Sequence, residues 1–148
     1  MKLSIYRTID KHVTMFVELE FIIRLILGFV LSGVVGFERE VSLKPAGLRT
    51  HILVGLGSTL LTILSQHAFP GAEPSRIAAS IIVGIGFLGA GTILKTEERV
   101  IGLTTAASLW IVASIGMATG TGYYLLAIVA TILAYLVLKL DVFEKASR

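Results

Sequence analysis

Apolar runs separated by short charged or proline-containing connections set the pattern of this chain. They lie at about 18–37, between Arg49 and Pro70, at about 77–94 and at 101–138. A helix that crosses a membrane needs about 20 predominantly apolar residues, so the first three runs each predict one crossing and the last predicts two. Gly120-Thr121-Gly122 is the natural turn between those two, because glycine permits the positive φ angles of a tight reversal. The pattern therefore predicts an all-α, polytopic membrane bundle of five transmembrane helices.

The composition is that of a membrane protein with a single domain. Of the 148 residues, 55% are hydrophobic and 16% are charged, whereas soluble domains have about 25% charged residues. We expect an N-terminal tail at 1–15, a transmembrane domain at 16–140 and a short cytoplasmic tail at 141–148. Met15 directly precedes the first apolar run, so it is a second candidate for the translation start besides Met1. Cysteine is absent, which excludes disulfides and cysteine chemistry.

Lysine and arginine are unevenly divided between the two ends of the predicted helices. The first connection, the third connection and the C-terminal tail hold eight of them, while the N-terminal tail and the second connection hold four. Because cytoplasmic loops carry the excess of these residues, we expect a multi-pass inner (plasma) membrane protein with its N-terminus outside and its C-terminus in the cytoplasm. The net charge of +3 is small and spread out, which argues against a nucleic-acid partner.

Residues 84–91 read Gly-Ile-Gly-Phe-Leu-Gly-Ala-Gly and match the dinucleotide-binding pattern G-x-G-x-x-G. That pattern works only as a turn between a strand and a helix, but here it lies in an uncharged run between Arg76 and Lys95. The block instead predicts close helix packing, in which small residues spaced by four let two backbones approach. Since small residues occupy two opposite faces, we expect helix 3 to be the central helix; a glycine-lined path or a hinge is the alternative. The predicted helix-packing residues are Ser80, Gly84, Gly86, Gly89, Ala90 and Gly91.

Two short phrases recur along the chain and indicate an internal repeat. Duplication would give two parallel helical hairpins packed as a pseudo-symmetric pair, with helix 5 as an addition. Chance similarity between glycine-rich membrane segments is the alternative. The matching phrases are Gly28-Phe29 and Gly33 with Gly86-Phe87 and Gly91, and Gly47-Leu48-Arg49-Thr50 with Gly102-Leu103-Thr104-Thr105.

Polar and charged residues cluster in the first and third connections, which should lie at the same membrane surface. Thr50 is placed to cap helix 2, and Glu38 at the end of helix 1 is the expected partner of Arg49. A salt-bridge network that fixes the hairpins is one interpretation; a site for an ion, an anion or a partner protein is the other. The candidate polar cytoplasmic residues are Glu38, Arg39, Arg49, Thr50, Thr104 and Thr105.

Arg24 is placed inside a predicted span, and charges there are functional candidates because they are costly in a membrane. Glu20 lies four residues earlier, which is the favourable order for an ion pair along a helix. Two interpretations therefore compete at this position: a local pair that reaches the outer interface, and a transport site.

Catalytic and metal-binding apparatus is not visible in the sequence. The three histidines, His12, His51 and His67, are isolated, and the predicted helices 2–5 contain no carboxylate before Asp141. Zinc sites need grouped histidine or cysteine ligands, and Mg²⁺ needs several oxygen ligands. We therefore expect no catalytic residues, no bound metal and no cofactor, and we do not expect an enzyme.

Four phrases in the same order closely resemble the MgtC/SapB family of bacterial inner-membrane proteins, over roughly residues 16–140. Glu38-Arg39 also matches the acidic-basic pair that the family carries after its first helix. The resemblance concerns the transmembrane domain, without the soluble C-terminal domain of many members, and Ser80 stands where the family often has Gln. The four phrases are Pro45-Ala46-Gly47-Leu48-Arg49-Thr50-His51, Pro74-Ser75-Arg76-Ile77-Ala78-Ala79, the glycine block 84–91 and Gly102-Leu103-Thr104-Thr105-Ala106-Ala107-Ser108-Leu109-Trp110.

The resemblance implies a role in growth at low magnesium and, in pathogens, in survival inside macrophages. It leaves two hypotheses of different classes. One is a non-enzymatic protein that regulates magnesium homeostasis or adaptation to low magnesium through a membrane partner. The other is a carrier or channel for Mg²⁺ or another small solute. The expected partners are the lipid bilayer, a membrane protein such as the F-type ATP synthase, and further copies of the chain.

Overall fold

The computed structural model describes the backbone at residues 2–71, 73–97 and 99–146, and the side chains at 15–71, 73–97 and 99–140. Five helices confirm the predicted all-α bundle, but a two-stranded hairpin precedes the fourth helix and was not predicted. The elements are α1 (Lys2–Val41), α2 (Leu48–His67), α3 (Ser75–Gly91), β1 (Leu94–Lys95), β2 (Val100–Ile101), α4 (Leu103–Gly120) and α5 (Tyr124–Ala146).

Three of the five helices are long and apolar enough to cross a membrane, namely Met15–Val41 within α1, then α2 and α4. α3 and the described part of α5, Tyr124–Leu140, are apolar but shorter. α1 begins at Lys2, so the backbone of the segment predicted as an N-terminal tail is helical from that residue. α5 likewise continues to Ala146, through most of the predicted C-terminal tail.

The hairpin that follows α3 explains why that helix ends earlier than predicted. Leu94 pairs with Ile101 and Lys95 with Val100 in antiparallel register, and the Thr96 N–H donates to the Arg99 carbonyl at 2.9 Å to close the turn. The β-branched residues of the second strand favour an extended backbone. The chain then enters α4 through Gly102, whose φ of +95° is accessible to glycine without strain.

α4 is the central helix, because it packs against α1, α2, α3 and α5. α1, α2 and α4 also pack on one another in pairs, and they form what we call the three-helix core. α3 packs chiefly on α4 through Ile81 and Ile85. The expectation that helix 3 is central is therefore wrong: α3 lies on the outside of the core.

Glycines bring the backbones of the three-helix core almost into contact. A Cβ atom added at Gly116 of α4 would lie 2.4 Å from the carbonyl oxygen of Gly55 in α2, and one added at Gly28 of α1 would lie 2.3 Å from Thr59 Oγ1. Such distances leave no room for a side chain between the helices. Close approach of this kind is how membrane helices associate, through dispersion and weak Cα–H hydrogen bonds.

The glycines of α3 do not make such contacts within the described chain. A Cβ atom at Gly84, Gly86 or Gly91 would meet open space, and Gly89 alone of the predicted set packs on a neighbour, Ala106, at an ordinary 3.5 Å. Ala90 is exposed, and Ser80 donates its hydroxyl to the Arg76 carbonyl of its own helix at 3.0 Å. Small residues spaced by four were a correct packing signal on other helices: Gly28, Ser32 and Gly36 on α1, and Gly116 and Gly120 on α4.

Candidate functional site

Polar side chains meet at the end of the bundle where α1 ends and where α2 and α4 begin; we call this the charged end. Each of the three core helices contributes to it, and all but one of these side chains are buried, with Ser42 half-buried. We call the set the polar cluster. It consists of Glu38 and Arg39 from α1, Ser42 directly after the end of α1, His51 from α2, and Thr105 and Ser108 from α4.

An ion pair between neighbours in sequence lies at the centre of the polar cluster. Glu38 and Arg39 are only 2% and 1% exposed, and Arg39 Nη1 is 3.4 Å from Glu38 Oε2. Ser42 donates its hydroxyl to the other carboxylate oxygen of Glu38 at 2.7 Å, while Arg39 Nη2 donates to Thr105 Oγ1 at 3.5 Å. Both contacts of Arg39 are long, and among the described residues its Nε has no partner. This guanidinium is buried with less hydrogen bonding than its five N–H groups can make.

His51 joins α2 to α4 in the polar cluster. Its ring is fully buried, with Nδ1 2.9 Å from the Gly47 carbonyl oxygen and Nε2 2.9 Å from Ser108 Oγ. Gly36 of α1 makes the space for it, since a Cβ atom there would lie 2.8 Å from the Cβ atom of His51. In the sequence this histidine is isolated from the other two. Its helical spacing from Gly55 and Thr59, which face the same core, is the signal that could have found it.

Glu40 supplies the side-chain acceptor at the start of α2 that was predicted to come from Thr50. Its Oε2 atom accepts a hydrogen bond from the Leu48 N–H at 2.9 Å, in the first turn of α2, where backbone N–H groups lack helical partners. The helix begins after Gly47 without a side-chain cap from that position. The prediction that Thr50 caps helix 2 is therefore wrong, because the helix starts two residues earlier and a carboxylate on α1 satisfies its first N–H.

The structure brings together three of the six predicted polar residues and separates the other three. Glu38, Arg39 and Thr105 are buried in the polar cluster, while Arg49, Thr50 and Thr104 are exposed. Glu38 pairs with Arg39 and Ser42, so the predicted Glu38–Arg49 pair is wrong. Arg49 lies two residues before the buried His51 on α2, and its side chain stays at the surface.

Two apolar grooves flank the three-helix core. One, of about 680 Å³, runs between α2 and α3 and includes Thr50, Ser80 and Gly84 in its lining. The other, of about 430 Å³, lies between α4 and α5 and includes Thr104. Four of the predicted residues that are absent from core packing thus line outward-facing grooves, together with mainly aliphatic side chains.

At the opposite end of the bundle, Arg24 links α1 to the end of α4. It pairs with Glu20, as the spacing predicted, and it also donates from Nη1 to the Gly120 carbonyl oxygen at 2.7 Å. The Tyr124 hydroxyl donates to the same Glu20 carboxylate at 3.4 Å. A cation at the C-terminal end of a helix is favourable because the last carbonyl groups lack helical partners. The arrangement is that of a clamp between helices.

Within the part of the chain whose side chains are described, no three His, Cys, Asp or Glu residues lie close enough together to hold a metal ion. The chemistry of the charged end is instead that of a buried ion pair, a histidine and hydroxyl groups shared between three helices.

Comparison with known proteins gives consistent matches. The model of the MgtC family matches residues 25–145. The chain is 48% identical to the putative magnesium transporter YhiD of Escherichia coli K12 over 128 residues, which cover 81% of this chain and 60% of that protein. It is 45% identical to protein MgtC of Brucella abortus over 104 residues, with 70% and 44% covered. It is 41% identical to protein SapB of Bacillus subtilis over 118 residues, with 74% and 51% covered. No solved structure matches the chain.

Proposed function

Because this chain belongs to the MgtC family, we propose that it is a non-enzymatic bacterial membrane protein that acts in magnesium homeostasis by regulating a membrane partner. The membrane class follows from the family and from the long apolar helices. The link to magnesium comes from the name of the relative in Escherichia coli. The chain spans 44–60% of the lengths of the three relatives, so its activity and its partner are proposals.

The closed interior of the three-helix core is the observation that favours regulation rather than transport. Gly116 meets the backbone of Gly55, and Gly120 meets Thr59 and Thr62, at distances that exclude even a methyl group. A hydrated Mg²⁺ ion keeps several waters and is far larger than a methyl group. A carrier would have to separate these helices along most of their length, whereas a regulator needs only its outer surfaces.

The polar cluster supports a regulatory role at the charged end. A buried ion pair is weak evidence for stability, because desolvation offsets much of its attraction, and in some proteins such groups instead fix one arrangement of helices. Glu38 and Arg39 hold α1 to α4 through Thr105, and Glu40 holds α1 to the start of α2. A partner that contacts the first connection can therefore act on the positions of all three core helices.

We place the charged end on the cytoplasmic side, with the C-terminus in the cytoplasm, from the excess of lysine and arginine there. A cysteine-free chain makes this simple to test. Single cysteines at Leu43, which is exposed in the first connection, and at Gly71, in the second connection, should react with a membrane-impermeant thiol reagent from opposite sides of the membrane.

The partner that the family resemblance implies is the F-type ATP synthase, and it can be tested with purified components. The synthase is reconstituted into liposomes with and without this protein, and ATP-driven proton pumping is followed by quenching of a pH-sensitive dye. We expect at least a twofold lower pumping rate with the wild-type protein. Pumping that is unaffected at a tenfold molar excess contradicts this partner.

A matched pair of variants shows whether inhibition of proton pumping depends on the charged end. Glu38→Gln removes the negative charge of the buried pair with little change of shape and leaves Arg39 unpaired. Glu20→Gln makes the same substitution at the opposite end of the bundle. We expect the first variant to lose the inhibition and the second to keep it. Equal inhibition by both variants contradicts a role for the polar cluster.

A carrier or channel for Mg²⁺ or another small solute is the second candidate. The observation that favours it is the buried Glu38–Arg39 pair, because ionisable residues within membrane helices often mark solute paths. Thr59 and Thr119, whose hydroxyl oxygens are 2.9 Å apart in the interior, lie between that pair and Arg24. This candidate requires solute flux by the protein alone, which the regulator does not.

A further inference from the structure

A chain of hydrogen bonds runs from Gly47 through His51 and Ser108 to Thr105, and its chemistry fixes the position of one proton. The Gly47 carbonyl can only accept a hydrogen bond, so the Nδ1 atom of His51, which is 2.9 Å away, carries a hydrogen and donates it. A neutral imidazole has one N–H group. In the neutral ring, Nε2 is therefore an acceptor.

Ser108 cannot satisfy both of its neighbours while His51 is neutral. Its Oγ atom lies 2.9 Å from His51 Nε2 and 2.8 Å from the Thr105 carbonyl oxygen, and a hydroxyl group has only one hydrogen. When Nε2 carries a proton, it donates to Ser108 Oγ, and the Ser108 hydroxyl donates to Thr105. Every contact in the chain is then a hydrogen bond.

We infer that His51 is a proton-binding site whose charged form completes this chain, and that proton binding there makes the polar cluster respond to pH. The site is built from three elements. α2 supplies the ring, α4 supplies the acceptor Ser108, and Gly36 of α1 provides the space for the ring.

The charged groups that face His51 determine what the proton does. Among the described residues, α1 supplies two charged groups close to the ring, Glu38 and Arg39. α4 faces the ring with the hydroxyl of Ser108, and Arg49 on α2 is exposed. A positive charge on His51 attracts Glu38 and repels Arg39.

Protonation of His51 acts on the contact between α1 and α4 that Arg39 makes with Thr105. The Glu38–Arg39 distance is already 3.4 Å, and Arg39 reaches Thr105 at only 3.5 Å, so both contacts are weak by geometry. Repulsion between protonated His51 and Arg39 therefore loosens the contact of Arg39 with Thr105 on α4. Acidification on the side of the charged end is the signal that this site would detect.

The inference rests on the proposed function only in giving the polar cluster a regulatory role, and its test involves no partner. The full chain, labelled with ¹⁵N at the histidine rings and reconstituted in lipid bilayers, is examined by NMR between pH 8 and pH 5. A His51→Gln sample identifies the His51 signals among those of the other two histidines.

At pH 8 we expect His51 to carry its hydrogen on Nδ1, and by pH 5 we expect both nitrogens to be protonated. A neutral ring with its hydrogen on Nε2 at pH 8, or a ring still neutral at pH 5, overturns the inference. Either result leaves the ATP synthase assay untouched, so failure of this site and failure of the proposed function are distinguishable.

Ser108→Ala tests the chain itself, with Ser114→Ala as the matched control. Ser114 is also on α4, but its hydroxyl donates to the Trp110 carbonyl of its own helix. Without Ser108 the protonated ring has no acceptor for Nε2, and hydrogen bonds to a charged form favour that form. We expect the titration midpoint of His51 to fall by at least about half a pH unit in Ser108→Ala. In Ser114→Ala it should stay unchanged. An unchanged midpoint in both variants overturns the inference.

Discussion

Gly116 of α4 lies directly against the backbone of Gly55 in α2, so closely that a Cβ atom at position 116 would be 2.4 Å from the Gly55 carbonyl oxygen. One helical turn later, a Cβ atom at Gly120 would lie 2.8 Å from the Thr59 carbonyl oxygen and 2.7 Å from the Cβ atom of Thr62. The backbones of α2 and α4 therefore approach each other closely at two positions one helical turn apart. The closed interior of the three-helix core depends on that interface.

Replacing Gly116 should weaken the three-helix core. Gly116→Ala places a methyl group against backbone, which cannot rotate away, and overpacking of this kind typically costs about 1–3 kcal/mol. Gly86→Ala is the matched control, because a Cβ atom there meets open space and alanine is the better helix former. Unfolding in a single detergent should rank Gly86→Ala at or above the wild type and Gly116→Ala below it. Equal stability of the two variants contradicts the packing.

Removing one partner of the buried Glu38–Arg39 pair should cost more stability, per residue replaced, than removing both. Glu38→Gln and Arg39→Met each leave an unpaired buried charge, which typically costs about 3–5 kcal/mol. The double variant leaves none, so its loss of stability should be clearly smaller than the two single losses together. Arg49→Gln, at an exposed position, should change stability by less than about 0.5 kcal/mol. Additive effects of the two buried substitutions would sink this interpretation.

Replacing Arg24 should destabilise the protein more than replacing its ion-pair partner Glu20. Arg24→Gln loses the hydrogen bond to the Gly120 carbonyl that links α1 to α4, and hydrogen bonds of charged groups contribute about 1.5–3 kcal/mol. Glu20 is half exposed, so Glu20→Gln should have a much smaller effect. Thermal unfolding of the two variants in the same detergent makes the comparison. A larger loss for Glu20→Gln would show that the local pair, not the clamp, is the stabilising contact.

Alanine variants at two glycines with positive φ distinguish backbone strain from a steric clash. Gly102, with φ of +95°, would place a Cβ atom 1.9 Å from the Thr92 carbonyl oxygen, whereas Gly71, with φ of +78°, has open space around it. Both alanine variants have the strain of a left-handed conformation, about 1–2 kcal/mol. Only Gly102→Ala adds a clash with backbone, so it should be the less stable by denaturant unfolding. Similar losses for both would mean that the entry into α4 can rearrange.

The helices were predictable because their signal is local. Charges, prolines and the glycines at 120 and 122 mark the connections, and α2, α4 and the start of α5 follow within a few residues. The hairpin at 94–101 was not predictable in this way, because its strands have two residues each and their pairing depends on where α3 and α4 are placed.

The wrong choice of central helix has a specific physical cause. The block at 84–91 contains more glycine than any other helix segment, but helix packing depends on which face a neighbour covers. Gly116 and Gly120 are fewer and face α2, whereas Gly84, Gly86 and Gly91 face open space in the described chain. Spacing identifies helices that can pack closely, and only the tertiary arrangement identifies which of them do.

The candidate site was half predictable for a similar reason. Glu38, Arg39 and Thr105 were identified by their positions at helix ends, and they meet in the polar cluster. Arg49 and Thr50 belong to the same connection but lie on the outer face of α2, while His51, one residue later, is on the buried face. One residue corresponds to a rotation of about 100° on a helix, which is enough to exchange a surface residue for a core residue.

Magnesium flux through the purified protein tests the central claim most directly. Proteoliposomes loaded with a Mg²⁺-sensitive dye are given an inward Mg²⁺ gradient and an inside-negative potential, with a Mg²⁺ ionophore added at the end as the positive control. A closed three-helix core that acts through a partner predicts uptake equal to that of protein-free liposomes. Saturable Mg²⁺ uptake that disappears on Glu38→Ala would contradict it and would establish the carrier.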